Sequence, residues 1–336
     1  MNISDLEKYD IEKMYKVYDN WPNNAKSYYE EKFEKVTFTG IDHIVFAGMG
    51  GSGALGDIFS AILSKTDIHV CVVKGYNLPN TVNSNTLVVV ISISGNTDET
   101  IRILDLAHNQ DCKLIVFTSG GKMEQVCLDK NIEFRKIKEF HSPRASFPSF
   151  LYSILNILSP ILPIKKQDVL KSIEQLKNTQ KEISSNNISE NNPALSLAKW
   201  ITHIPLIYYP WGLQSAAIRF KNSLQENSKC HVIIEDIVES CHNGVVAWER
   251  KSNVQPIFIK GLNDHIKTNE KNAILKEYFQ ENKIEYREII SVEGDILSKI
   301  INLIYILDYC SIYKAVITET DPTPVKSIEF IKNKLK

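Results

Sequence analysis

Ile44-Val45-Phe46-Ala47-Gly48-Met49-Gly50-Gly51-Ser52-Gly53 is the stretch that decides the fold. Its first four residues form an apolar run suited to a buried strand, and Ala54 to Ser64 carries a helical pattern. Strand, glycine turn and helix in that order aim backbone N–H groups at an anion, and the helix N-terminus adds positive partial charge. Two anions suit such a turn: the pyrophosphate of a dinucleotide or the phosphate of a small sugar. Around it lie further apolar runs, at Asp42 to Ala47, Ile68 to Val73, Leu87 to Ile93, Lys113 to Thr118 and Ile132 to Lys136. They are continuous rather than alternating, which predicts strands covered on both faces. With helices between them they predict an α/β, doubly wound, mostly parallel sheet.

The pattern resumes later. Phe147 to Leu158 reads as a buried helix and Gln167 to Ile183 as a polar one, before a Ser/Asn-rich loop or linker from Ser184 to Pro193. Strands are expected at Ile204 to Tyr209, Pro256 to Ile259 and Tyr286 to Ile290, with helices at Gln214 to Gln225 and Asp295 to Ile317. Asp321-Pro322-Thr323-Pro324 is a turn before a last helix. The two halves share a strand–turn–helix opening, which suggests a duplicated α/β fold. The expected divisions are an N-terminal domain over 1–160 with a helical extension, a helix and linker over 161–193, and a C-terminal domain over 194–336.

Composition bounds the partners. The chain has 336 residues, 39 basic against 40 acidic, so no overall field favours nucleic acid or an anionic membrane. The N-terminus has no basic-then-apolar signal and no apolar run is expected to reach spanning length. The six cysteines (Cys71, Cys112, Cys127, Cys230, Cys241, Cys310) form no CxxC pair. The expectation is a cytoplasmic protein with reduced thiols, Cys71 and Cys112 buried among them, and with no membrane or nucleic-acid partner. The histidines show no paired ligand spacing, so neither a catalytic metal nor a cofactor is expected.

A second loop, Ser92-Ile93-Ser94-Gly95-Asn96-Thr97, follows the run Leu87 to Ile91 and precedes a helix through Leu104. Ser92, Ser94 and Thr97 thus gather at a strand's C-terminal end, where open α/β sheets bind ligands. Neutral hydroxyls with backbone amides suit a phosphate dianion. The plainer account is that Ser94 or Thr97 only caps the helix; for one hydroxyl it would be preferred, for three beside a glycine it is not. Ser119-Gly120-Gly121, at a third strand end, either lines the same crevice or is a turn. A dinucleotide site should place an acid after the second strand to hold the ribose. Here Lys74-Gly75-Tyr76 follows instead, leaving only a 2′-phosphate for Lys74 to meet. The second loop favours a monophosphate.

At this point the chain resembles a known family. The two loops together resemble a sugar isomerase (SIS) domain. Glu226-Asn227-Ser228-Lys229, then Glu239 with His242-Asn243, then Asp321-Pro322-Thr323-Pro324 and Ile328-Glu329-Phe330-Ile331-Lys332 are similar to the bifunctional phosphoglucose/phosphomannose isomerases, which carry two SIS domains. The resemblance covers nearly the whole chain. It implies reversible, metal-independent isomerisation of glucose 6-phosphate, and of mannose 6-phosphate as well, to fructose 6-phosphate. It implies Glu226 as the carboxylate that moves a proton between C1 and C2, His242 and Lys332 as the ring-opening pair, and Arg144 as the cation facing the enediolate. It also implies Ser92, Ser94 and Thr97 on the phosphate, Gly50, Gly51 and Ser52 against the sugar, and a homodimer in which His242 reaches the partner's site. Lys326 competes with Lys332 for the lysine role.

Each residue alone has a commoner explanation. Glu226 would be a surface acid at a helix end, His242 a surface or structural histidine, Lys332 a tail lysine, and Arg144 an ion-pair partner. Their joint occurrence in family order, beside two phosphate loops, carries the reading. The competing functions are another SIS enzyme, such as an amino-sugar phosphate isomerase or an etherase, and a sugar-phosphate-sensing regulator. The latter would carry a helix-turn-helix, for which the aromatic N-terminal segment is too short.

Overall fold

In a computed structural model describing residues 1–335, the five apolar runs of the first half form one parallel sheet. Its strands are β1 (His43–Ala47), β2 (His69–Val73), β3 (Thr86–Ser92), β4 (Lys113–Thr118) and β5 (Phe134–Lys136), in the order β2-β1-β3-β4-β5. Every residue of β1 and β3 is buried, as continuous apolar runs require. The second half repeats the arrangement with β6 (Ile204–Tyr209), β7 (Ile233–Asp236), β8 (Val254–Lys260) and β9 (Arg287–Ile290), ordered β7-β6-β8-β9 and again parallel. Strand for strand this is the order of the first four strands of the other sheet. The duplication expected from the sequence is therefore present in topology.

β7 is the strand that sequence reading passed over. It is a four-residue edge strand with no fully buried position, so its pattern is faint. Cys71 and Cys112 are half-buried rather than buried; Cys127 and Cys310 are the enclosed thiols. The Ser/Asn-rich stretch is a loop, but a fastened one. The Ser185 amide and hydroxyl both donate to the Asp19 carboxylate (3.1 and 2.5 Å), and Asn192 caps the Pro193–Trp200 helix by accepting from the Leu195 amide at 3.0 Å.

Strand residues alternate between layers, because successive side chains point to opposite faces. Ile44, Phe46, Val89 and Ile91 of the first sheet share one apolar cluster with Ile207, Tyr209, Ile257 and Ile259 of the second. Val45, Val88, Val90 and Val116 face a separate outer layer, and Tyr208 and Phe258 another. The middle layer is built on the 22-residue helix Ile296–Ile317. This helix is apolar and long enough to cross a membrane, yet 94% of its apolar window is buried inside the protein. At roughly 1.5–3 kcal/mol per enclosed large aliphatic side chain, its composition is accounted for by the core.

That helix also carries Tyr305, Tyr309 and Tyr313, one turn apart. Their hydroxyls donate to the Tyr18 carbonyl (2.6 Å), the Asp19 carboxylate (2.6 Å) and the Ile183 carbonyl (2.7 Å). The N-terminal helix Met14–Asp19 is thereby bound to the second half, and Trp21–Glu30 joins it through Trp21, stacked between Tyr18 and Tyr305.

Candidate active site

The first loop joins β1 to the helix Gly50–Leu63. It turns so tightly that a Cβ on Gly53 would lie 2.7 Å from the Gly48 carbonyl oxygen, a contact only glycine permits. Ser52, in the first turn of the helix, accepts from the Ile93 amide at 3.2 Å. The two expected loops are thus joined directly, and the Ser52 O–H hydrogen remains a donor.

The second loop runs from β3 into the helix Asp98–His108. No side chain among the described residues caps that helix, so the capping explanation for Ser94 and Thr97 does not hold; the Ser94 hydroxyl instead accepts from the Asn96 amide at 3.4 Å. Ser92 is 1% exposed and its hydroxyl has no partner among the described residues. The third strand end is a buttress to this loop. The Ser119 amide and hydroxyl both donate to the Ile93 carbonyl (3.1 and 2.6 Å), and the Met123 amide donates to the Gly95 carbonyl at 2.8 Å. Gly95 has φ +68° and sits against the Gly120 carbonyl so closely that any Cβ would overlap it.

Beside the first loop lies the turn Ser142–Ser146, held by the Ser146 amide donating to the Ser142 carbonyl at 3.1 Å. It places Arg144 under the end of the helix Gln214–Asn227. Arg144 is 5% exposed and its guanidinium makes four hydrogen bonds, which leaves one Nη1 N–H over. Nε donates to Asn227 Oδ1 (2.6 Å), Nη1 to Glu226 Oε2 (3.3 Å), and Nη2 to the Pro322 and Thr323 carbonyls (2.7 and 2.9 Å). Lys229, in left-handed backbone (φ 58°), donates to the Glu226 and Pro324 carbonyls (2.6 and 2.8 Å). Burial and the nearby Arg144 charge push its ammonium pKa down from the usual lysine range. Arg144 and Lys229 together staple the Asp321–Pro324 turn beside Glu226.

A cavity of 910 Å³ opens here, and Gly50, Glu226, Lys229 and Lys326 are among the residues that line it. Ile328 lines it too, and Lys332 lies one turn further along that face of the helix Lys326–Lys334, no residue of which is buried. Lys74 also reaches the cavity, where it is paired with Asp57 at 2.5 Å. His242 is elsewhere: it is exposed, in the turn after the short helix Ile237–Ser240, and is not among the cavity's residues. Contacts therefore join the glycine loop to the hydroxyl loop through Ser52 and to Arg144 beside Gly51, and Arg144 to Glu226. Of the expected site residues only Gly50 and Glu226, with the competing Lys326, line the cavity itself; Ser92, Ser94, Thr97, Arg144, Lys332 and His242 are not among its lining residues. Sequence reading gave no role to Lys229 or Asn227, although both stand in the quoted Glu-Asn-x-Lys segment. It gave none to Arg219 or Asp308, which carry no motif.

Chemically, the arrangement offers a carboxylate, a fixed guanidinium beside it, and neutral donors at a strand end. Comparisons agree. Residues 37–157 match the SIS domain family profile, and residues 190–335 match that of the bacterial phospho-glucose isomerase C-terminal SIS domain. A bifunctional phosphoglucose/phosphomannose isomerase of Caldicellulosiruptor bescii is 31% identical over 306 residues, covering 88% of this chain and 90% of its own. Another, of Aquifex aeolicus, is 28% identical over 334 residues, covering 97% and 99%. In structure, the C-terminal domain of glucosamine-fructose-6-phosphate aminotransferase from Francisella tularensis superposes with a TM-score of 0.69 at 16% identity, over 92% of this chain and 96% of that one. With two SIS domains in tandem and a relative of that identity along nearly its full length, the chain belongs to the bifunctional phosphoglucose/phosphomannose isomerase family.

Proposed function

We propose that this protein catalyses the reversible isomerisation of glucose 6-phosphate and mannose 6-phosphate to fructose 6-phosphate. The observation that carries the reading is the Glu226 carboxylate on the cavity wall, held 3.3 Å from Arg144 Nη1. Glu226 takes the proton from C2 of the opened aldose and returns it to C1, and a proton passes between the two oxygens. Arg144 faces the negative charge that builds on the enediolate. Because the carboxylate moves the proton itself and the guanidinium supplies the positive charge, the step calls for no metal. Ser92, Ser94 and Thr97 hold the phosphate, with Gly50, Gly51 and Ser52 against the sugar.

Opening the pyranose ring needs a donor at the ring oxygen and an acceptor at the C1 hydroxyl. We assign these to Lys332 and His242: the lysine ammonium can only donate, to the ring oxygen, and an imidazole nitrogen of His242 accepts from the C1 hydroxyl. An exposed His242 that does not line its own chain's cavity suits a homodimer in which it completes the partner's site. For the lysine, Lys332→Ala is expected to slow turnover of the cyclic sugar more than Lys326→Ala does. The reverse order in steady-state rates would transfer the role to Lys326.

The reading is tested by a coupled assay of fructose 6-phosphate formed from each aldose phosphate, with a chelator present. Turnover of both supports it; no turnover of either overturns it, and loss of activity with chelator overturns the metal-free step. The phosphate assignment has its own test in Gly95→Ala. A left-handed alanine costs about 1–2 kcal/mol, and the overlap with Gly120 pushes the two loops apart. KM for glucose 6-phosphate should rise about tenfold or more, the equivalent of about 1.4 kcal/mol of binding. An unchanged KM would remove the loop from the phosphate site.

A further inference from the structure

Arg219 and Asp308 form the most enclosed ion pair in the chain's described residues. The two side chains are 2% and 0% exposed, with Nη2 of Arg219 2.7 Å and Nε 2.9 Å from Asp308 Oδ2. The sequence reading found no part for them, and neither lines the cavity. Yet the same Nη2 also donates to the Arg144 carbonyl oxygen at 2.6 Å. The other arm, Nη1, lies where a Cβ on Gly51 would be 3.5 Å away, and the guanidinium covers the Phe147 ring at 4.9 Å. Ser223 donates to Asp308 Oδ1 at 2.5 Å, and the Asp308 carbonyl accepts from Ser311, which in turn accepts from Asn227. Asn227 is the residue that receives Arg144 Nε.

Arg144 is therefore held twice from the second half of the chain. Its head is held by Asn227, Glu226 and the Pro322 and Thr323 carbonyls, and its backbone by Arg219. Asp308 fixes the angle of the Arg219 fork and balances its charge, so that two enclosed guanidinium groups can stand side by side. From these contacts we infer that the Asp308–Arg219 pair is a positioning unit. It sets the distance between the sugar-binding loop at Gly51, the enediolate-facing Arg144 and the base Glu226. The inference rests on the isomerase reading for its kinetic consequence, but not for its structural one.

Two variants test it. Arg219→Lys keeps the charge opposite Asp308 and lacks the fork that serves Asp308 and Arg144 together. Arg219→Met/Asp308→Leu removes both charges at once, which leaves no unpaired ion in the core. For each, kcat and KM for fructose 6-phosphate and the exchange of backbone amides over residues 141–146 are measured. At least one variant that melts within a few degrees of wild type should lose about tenfold or more in kcat with KM nearly unchanged. This is the pattern of an interaction realised in the transition state. Amide exchange over 141–146 should quicken while the strands keep their protection. A folded variant with wild-type kcat and wild-type exchange overturns the inference. So does a fall in kcat and in protection spread evenly over both sheets, which would make the pair a structural ion pair and no more. If the wild type turns over neither aldose phosphate, the isomerase reading fails by itself. The exchange at 141–146 then still decides whether the pair holds Arg144.

Discussion

Glu226→Gln is expected to lower kcat for glucose 6-phosphate and mannose 6-phosphate by roughly 10²–10⁴, the usual contribution of a positioned proton-transfer group. The substitution keeps size and shape. A glutamine oxygen can still accept from Arg144 Nη1, which lies 3.3 Å from the present carboxylate oxygen, and Asn227 and the Pro322 and Thr323 carbonyls still hold the rest of that guanidinium. The cavity wall therefore survives, and KM should move by only a few-fold. What is lost is the ability to take a proton. Steady-state kinetics on both aldose phosphates measure this directly. Turnover within about tenfold of wild type would assign the proton transfer to another group, since a general base is worth more than that.

Arg219→Met alone should have the largest effect on stability. It leaves Asp308, whose side chain is fully enclosed, without its cation, and breaking one side of a buried pair costs about 3–5 kcal/mol. Burial already pushes the Asp308 carboxyl up, and the Arg219 charge and hydrogen bonds are what pull it back. With Arg219 the carboxyl already stands above its ordinary value; without it nothing comparable offsets burial, so the folded-state pKa would rise further and the carboxyl would fold protonated. The folded state would then bind the extra proton between the two values. Stability should be highest in acid and should fall as pH rises from the unfolded pKa to the folded one. Denaturant melts of wild type and variant across that range measure the difference. Equal stabilities at neutral pH would show that the core admits water at Asp308.

The strands were legible because both faces of β1 and β3 are covered, so their runs of Val, Ile and Leu are unbroken. β7 was not, since an edge strand of four half-covered residues leaves too short a signal. The hydroxyl loop was readable as an anion site, because Ser92, Ser94 and Thr97 crowd a strand end. That Ser52 ties it to the glycine turn was not, for the bond is between a side chain and an amide 41 residues apart. Arg144 and Glu226 were found through family order rather than spacing. Their contact spans 82 residues and depends on the two sheets packing on one core. The Arg219–Asp308 pair had no sequence signal at all: an arginine and an aspartate 89 residues apart look like any two surface charges until the helix Ile296–Ile317 is seen to be enclosed.

The tyrosine ladder on that helix has a consequence for how the chain is made. Tyr305 and Tyr309 bond to partners 287 and 290 residues earlier, near the start of the sequence. During synthesis at about 5–20 residues per second, the N-terminal helices emerge many seconds before the helix that receives them. Trp21 can meet Ala145 and Phe147 of the first half meanwhile, but the faces of Tyr18 and Trp21 that pack on Tyr309 and Tyr305 wait for that interval. The tyrosine bonds join the two halves, and closure of so long a loop places this docking step late and makes it slow. The nascent chain is thus exposed to misassociation through that aromatic surface until the helix Ile296–Ile317 has emerged.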